Sequence, residues 1–172
     1  MASSNKRLTK EFAQLSEALP TGYTSLSLPA DSSLYTWHLV LAPPASSPYH
    51  PGRFALVLSL PPEYPFKPPV VRFATRIYHP NVTDEPCGSV CLAVTKQDVW
   101  KPASRIKLVL DAVASLLLEP QPDDPLEQRI AEEYRNDRQA WLENVSNYVK
   151  MYAMGEPTFP SAQALAASSS SS

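Results

Sequence analysis

Both cysteines of this chain, Cys87 and Cys91, lie in HPNVTDEPCGSVCL (79–92), together with His79. Three kinds of chemistry compete for such a stretch. A C-x3-C pair could ligate a metal. However, His38, His50 and His79 lack the spacing that would complete the ligand set, so no metal centre is expected. A disulfide across four residues is geometrically feasible but needs oxidising conditions, which nothing else in the sequence supports. The third is nucleophilic. Cys91, between Val90 and Leu92 in an irregular segment, would attack as its thiolate, with or without His79 as a neighbouring base. Against that dyad, His79 precedes Pro80-Asn81, a setting in which an imidazole more often pins a turn than moves protons.

The rest of the chain must position these groups. Its 172 residues suffice for one domain with a real core. A formal net charge of −2 gives no basic field for nucleic acid. No apolar run approaches the roughly 20 residues that span a bilayer. MASSNKRLTKEF has no apolar signal core, so the cytoplasm, the nucleus or both is the expected location. Nineteen prolines against four glycines, concentrated in 42–52, 60–69 and 119–125, describe stiff loops rather than linkers.

Leu8, Phe12, Leu15 and Leu19 predict a helix over 4–19, capped by Ser3 or Ser4. From Tyr23 to Phe73 the period becomes two. Phe54, Leu56, Leu58 and Leu60 predict a half-buried strand, with further strands at 34–41, 70–73 and, more weakly, 23–28. Ile106, Val109, Leu110, Val113, Leu116 and Leu117 predict a central buried helix stopped by Pro120. Two more helices are expected at 126–135 and 137–153, the last with Trp141, Val145, Tyr148 and Tyr152 on one face. The expected fold class is α+β, helices packed on one face of an antiparallel sheet. Residues 1–153 form its core domain, and 154–172 a disordered Ser/Ala-rich tail.

The order YPFKPPVVRFATRIYHPNV, GSVCL, Trp100 in VWKPA, and LLLEPQPDDPL resembles the ubiquitin-conjugating enzyme family. The likeness runs from Lys6 to about Ala153, and the joint occurrence of these motifs is far more specific than any one of them. It implies the ubiquitin-conjugating fold: an N-terminal helix, a four-stranded antiparallel meander, an active-site loop and three further helices. It also implies a transferase without a cofactor, in which Cys91 accepts ubiquitin from an activating enzyme as a thioester. His79 and Pro80 would shape the active site. Asn81 would donate to the oxyanion of the tetrahedral intermediate or hold the cysteine's loop. Asp124 would orient an incoming lysine or favour loss of its proton, against the plainer reading of a turn residue before Pro125.

Three departures from the family pattern bear on specificity. The loop from Asn81 to Cys91 is two residues longer, the extra length carrying Pro86-Cys87. Ala93 stands where many lysine-active members have an aspartate. Asp111 falls where such members place an apolar residue against the donor ubiquitin, although it could equally pair with Lys107 one turn earlier. With Lys101-Pro102-Ala103 and the TW, YPFKPP and AEEYRNDRQ stretches, these features resemble the subclass serving HECT and RING-between-RING ligases. Onward transfer to a ligase cysteine is therefore expected, with direct lysine transfer as a second route. Ligase docking, carried over, falls on Lys6, Arg7, Lys10, Phe66, Lys101, Pro102 and Ala103, in an expected monomer. A conjugating enzyme for another ubiquitin-like protein and a non-catalytic ubiquitin-binding variant are the alternatives.

Overall fold

The computed structural model describes residues 2–170. Strands β1 (Tyr23–Ser27), β2 (Thr36–Leu41), β3 (Phe54–Ser59) and β4 (Val70–Phe73) pair antiparallel in chain order. A two-residue β5 (Gly88–Ser89) extends the four expected strands to five. The registers place Leu39 opposite Leu56 and Leu56 opposite Phe73. Since strand side chains alternate, this row points to one face and supplies the sheet's half of the core.

Helix α2 (Ile106–Leu116) supplies much of the other half. Ile106, Val109, Leu110, Val113 and Leu116 are buried along it, each such side chain contributing roughly 1.5–3 kcal/mol when fully buried. Helix α1 (Ala2–Glu17) adds Leu8 and Leu15, while Phe12 meets the Trp37 ring edge-on at 5.2 Å. It begins two residues earlier than expected, so Ser3 and Ser4 lie inside it. Ser4 is no cap, because its hydroxyl donates to the Tyr64 carbonyl at 2.9 Å. Helices α3 (Gln128–Asn136) and α4 (Arg138–Tyr152) break at Asp137, whose carboxylate accepts from the Ala140 amide. On α4 the buried stripe is Trp141, Val145 and Val149. The expected Tyr152 is instead exposed, because the last turn runs past the core and sets its ring near Arg76 and Tyr148. Among the described residues no helix is long and apolar enough to cross a membrane.

Two differences concern the sheet's second face. The alternation along β3 predicts a half-buried strand, yet Phe54 through Leu58 are all buried. Ala55 and Val57, with Val40 on β2, point away from the row that faces the helices and are covered nonetheless. The region expected to be disordered from 154 lies partly on that face. The Phe159 ring stacks on His38 of β2 with centroids 4.2 Å apart. Glu156 pairs with Arg53, and Ala162–Ser169 forms a helix, α5. Composition predicts poor folding for this segment taken alone, but it leaves out a sheet face on which an aromatic residue can rest.

Candidate active site

Residues 81–83 and 89–91 are drawn together as the arms of a short hairpin. The Cys91 amide donates to the Asn81 carbonyl (3.0 Å), Val82 bridges Val90, and the Thr83 amide donates to Ser89 (3.0 Å). Gly88 is required where the arms close, since a Cβ there would lie 2.2 Å from the Thr83 carbonyl oxygen. Pro86 and Cys87 thus lie in the hairpin's tip. Asp84 anchors that tip: its carboxylate accepts from Arg76 (2.9 Å) and the Tyr148 hydroxyl (2.8 Å), and its amide donates to Glu127 (2.8 Å). Cys87 sits in the tip at φ +58°. Both cysteines are free and half-buried.

Beneath Cys91 lies a buried polar floor. His79 is sealed, and its Nδ1 accepts from the Asn81 amide at 2.9 Å. The proton therefore sits on Nε2, which donates to the Leu116 carbonyl at 2.8 Å. Burial pushes the His79 pKa down to about 4, so the ring is neutral and both nitrogens are occupied. It has no way to serve Cys91 as a base, and the Cys-His dyad is excluded in favour of the pinned turn. Asn81 is equally committed. Its Nδ2 donates to the carbonyls of Gln121 (2.8 Å) and Asp124 (3.0 Å), and its Oδ1 accepts from the Gln121 amide (2.8 Å). Both amide hydrogens are spent on the 121–124 loop, so an oxyanion could be served only by releasing one of them. Pro80 completes the floor, its carbonyl accepting from the amides of Leu126 and Glu127.

The rim is different in kind. The Cys91 thiol donates to Asp124 Oδ2 at 3.6 Å, and Lys96 Nζ reaches the same oxygen at 2.5 Å. Burial, then the Asp124 charge, raises the Cys91 pKa, and Lys96 lowers it. Asp124 is in turn held below its ordinary value by Lys96. Next to the thiol opens a groove of 330 Å³, with Leu92, Ala93, Val94, Ala112 and Leu116 among its lining residues and Asn81 and Asp124 at its polar edge. Asp111 pairs with Lys107 at 2.6 Å, the helix-surface pair anticipated from their spacing. Lys96 was not legible as a site residue. It reaches Asp124 from the end of a 3-10 turn at Ala93–Thr95, and no periodicity signals that return.

The residues expected to dock a ligase do not share one role. Phe66 is 77% exposed, Lys6, Lys10, Lys101 and Ala103 are exposed as well, and Lys6, Arg7, Lys10 and Ala103 line one groove. Arg7 faces inward: its guanidinium donates to the carbonyls of Pro102 and Ser104, both at 2.5 Å, and to Glu11 at 2.8 Å. It is a clamp on the 101–104 loop. Glu11, missed in the sequence, is buried at the root of this groove. It accepts from Arg7, from the Tyr64 hydroxyl (2.6 Å) and from the Ile106 amide at the start of α2 (2.9 Å). A carboxylate there also meets the positive end of the helix.

The family model described as "Ubiquitin-conjugating enzyme" matches residues 7–149. The chain is 44% identical over 152 residues to a Schizosaccharomyces pombe protein, "Ubiquitin-conjugating enzyme E2 14". That match covers 88% of this chain and 95% of the relative. Among solved structures, the E2 domain of a Toxoplasma gondii ubiquitin conjugating enzyme is similar at a TM-score of 0.77 and 29% identity. The superposition covers 87% of this chain and 99% of that one.

Proposed function

Because the chain belongs to the ubiquitin-conjugating enzyme family, transferases that act through a cysteine thioester, we propose that Cys91 accepts the C-terminal acyl group of ubiquitin. Family membership brings ubiquitin, an activating enzyme and ligases as partners. The Cys91 thiolate attacks the carbonyl carbon of the activating enzyme's thioester. A new C–S bond forms, the old one breaks, and the activating enzyme's thiolate departs. Two thioesters are close in energy, so positioning rather than driving force sets the rate. The observation that carries this reading is the Cys91 thiol at the edge of the 330 Å³ groove, its amide fixed to Asn81. Such a groove suits an extended C-terminal chain.

Asn81 acts by holding the loop that carries Asp124, and Asp124 receives the ammonium of a lysine acceptor. Onward transfer goes mainly to a ligase cysteine of the HECT or RING-between-RING type. Ala93, which leaves the groove one carboxylate poorer, supports that preference, as does the charged Asp111–Lys107 pair on α2. Asp124 beside the thiol favours direct lysine transfer as a second route. Exposed Phe66, with Lys6, Lys10, Lys101, Pro102 and Ala103, is the ligase-docking ridge, shaped from within by Arg7.

Incubation with ubiquitin, activating enzyme and ATP is expected to give an adduct that a thiol reductant cleaves and that Cys91→Ala does not form. A reductant-stable adduct, or one that survives Cys91→Ala, overturns the assignment. Exclusive charging by another ubiquitin-like protein would move the donor specificity there. Since the thiol is held above its ordinary pKa, charging is expected to accelerate with pH through the neutral range. Phe66→Ala is expected to charge normally and to lose ligase-dependent transfer.

A further inference from the structure

We propose that Lys96 is a specificity residue whose ammonium occupies the carboxylate an incoming lysine needs, steering an acyl group on Cys91 toward thiol acceptors. The inference rests on the roles given above to Cys91 and Asp124.

One carboxylate oxygen carries the case. Asp124 Oδ2 faces the Cys91 sulfur at 3.6 Å and holds Lys96 Nζ at 2.5 Å. Lys96 is delivered by the 3-10 turn that follows Cys91, and its amide donates to the Ala93 carbonyl. It therefore sits on the same short segment as the nucleophile. Among the described residues no other carboxylate takes this place. Position 93 is alanine, Asp123 is turned to Arg135, and Glu119 lines the groove without bonding to the thiol. An acceptor lysine arriving at the thioester thus finds its docking oxygen already holding a lysine of this chain.

The two onward reactions depend on that oxygen differently. A lysine side chain arrives as an ammonium and must shed a proton before its nitrogen attacks the thioester carbon. As the C–N bond forms and the C–S bond breaks, a second proton leaves the nitrogen and the thiolate stays on Cys91. Asp124 is the group placed to hold the ammonium and ease its deprotonation. A ligase cysteine attacks as a thiolate, exchanges one C–S bond for another, and presents no ammonium to be held. Occupation of Asp124 by Lys96 slows only the first reaction. Both side chains are about half exposed, so the pair is weak and screened by salt, and the expected bias is about two- to fivefold.

The test uses full chain charged with ubiquitin, isolated, and then chased with free lysine or free cysteine in single turnover. Lys96→Gln is expected to raise lysine discharge about two- to fivefold with cysteine discharge unchanged, while Lys96→Arg keeps the original ratio. In an Asp124→Asn background, Lys96→Gln is expected to have no effect. Added salt should speed lysine discharge of the original chain more than that of Lys96→Gln. Masking is overturned if Lys96→Gln leaves lysine discharge unchanged or lower, or raises it equally without Asp124. If Asp124→Asn alone leaves lysine discharge untouched, the role given to Asp124 falls, and masking falls with it. If Asp124→Asn slows lysine while Lys96→Gln does nothing, only masking falls.

Discussion

His79 and Asn81 lie sealed under the active-site loop with every ring nitrogen and amide atom bonded, whereas Cys91, Asp124 and Lys96 meet above them half in solvent. The floor bonds to main-chain groups of three segments, the end of α2, the 121–124 loop and the Asn81 turn itself. The rim bonds side chain to side chain, through a single carboxylate. Buried, satisfied polar networks are costly to break, while exposed ion pairs contribute little to stability. The site thus separates its tasks. The floor fixes where the Cys91 thiol stands, and the rim can be altered to change what reaches it.

The sharpest way to break this comparison is acid. Burial holds the folded His79 pKa near 4, against an ordinary value of 6.5. Between those values the unfolded chain takes up a proton that the folded chain refuses. The contribution of His79 is therefore complete above pH 6.5 and lost as pH falls toward 4, by about 3 kcal/mol. Urea midpoints at pH 7 and 4.5 measure the loss, and the NMR shifts of the ring assign it to His79. A ring titrating near 6.5 in the folded chain would mean that the floor is not sealed.

Next in size is Asn81→Ala. It strands the Gln121 and Asp124 carbonyls and the Gln121 amide, for an expected loss of about 2–3 kcal/mol in the urea midpoint. Because the loop carrying Asp124 is released as well, lysine discharge should fall along with stability. Asn81→Asp separates the two donations from the acceptance, keeping only a partner for the Gln121 amide. It should be nearly as damaging. Full stability with slow discharge would instead favour direct donation to the oxyanion.

What could be read in advance follows the same division between local and long-range causes. The alternation of large apolar residues at Phe54, Leu56 and Leu58 and the 3.6-residue stripe of α2 are written in neighbouring residues, and both elements stand where expected, although β3 is buried on both faces. Cys91, Asn81 and Asp124 were visible because their motifs are contiguous. Glu11, Asp84 and Lys96 were not, since each acts on partners between 28 and 95 residues away. Arg7 falls among the expected ligase-docking residues for that reason, although its guanidinium is spent on the carbonyls of Pro102 and Ser104. The cover on the sheet's second face was missed in the same way. Nothing near Phe159 in sequence names His38 as its platform.

A smaller effect belongs to the hairpin tip, which is neither floor nor rim. Cys87 holds a left-handed backbone at φ +58°, which costs a non-glycine residue about 1 kcal/mol. Cys87→Gly relieves that cost and gives back a similar amount as unfolded-chain entropy, leaving stability within about 0.5 kcal/mol. Charging should survive, since the tip is held by Asp84 and the arms by backbone bonds. Loss of charging in Cys87→Gly would show that the second thiol takes part in the chemistry.

The smallest effect on stability is expected at the rim, and there the comparison stands or falls. Asp124 is exposed, and among the described residues its carboxylate bonds to Lys96 and the Cys91 thiol alone. The loop around it is held through its main-chain carbonyl, which Asp124→Asn leaves in place. That variant should therefore show no measurable change in urea midpoint while discharge to lysine slows and discharge to cysteine holds. It should also ease the thiol's ionisation, because a negative neighbour is removed, so charging near neutral pH should quicken. A midpoint shift as large as that of Asn81→Ala would mean that Asp124 is part of the floor, and that stability and acceptor choice are not set by separate layers.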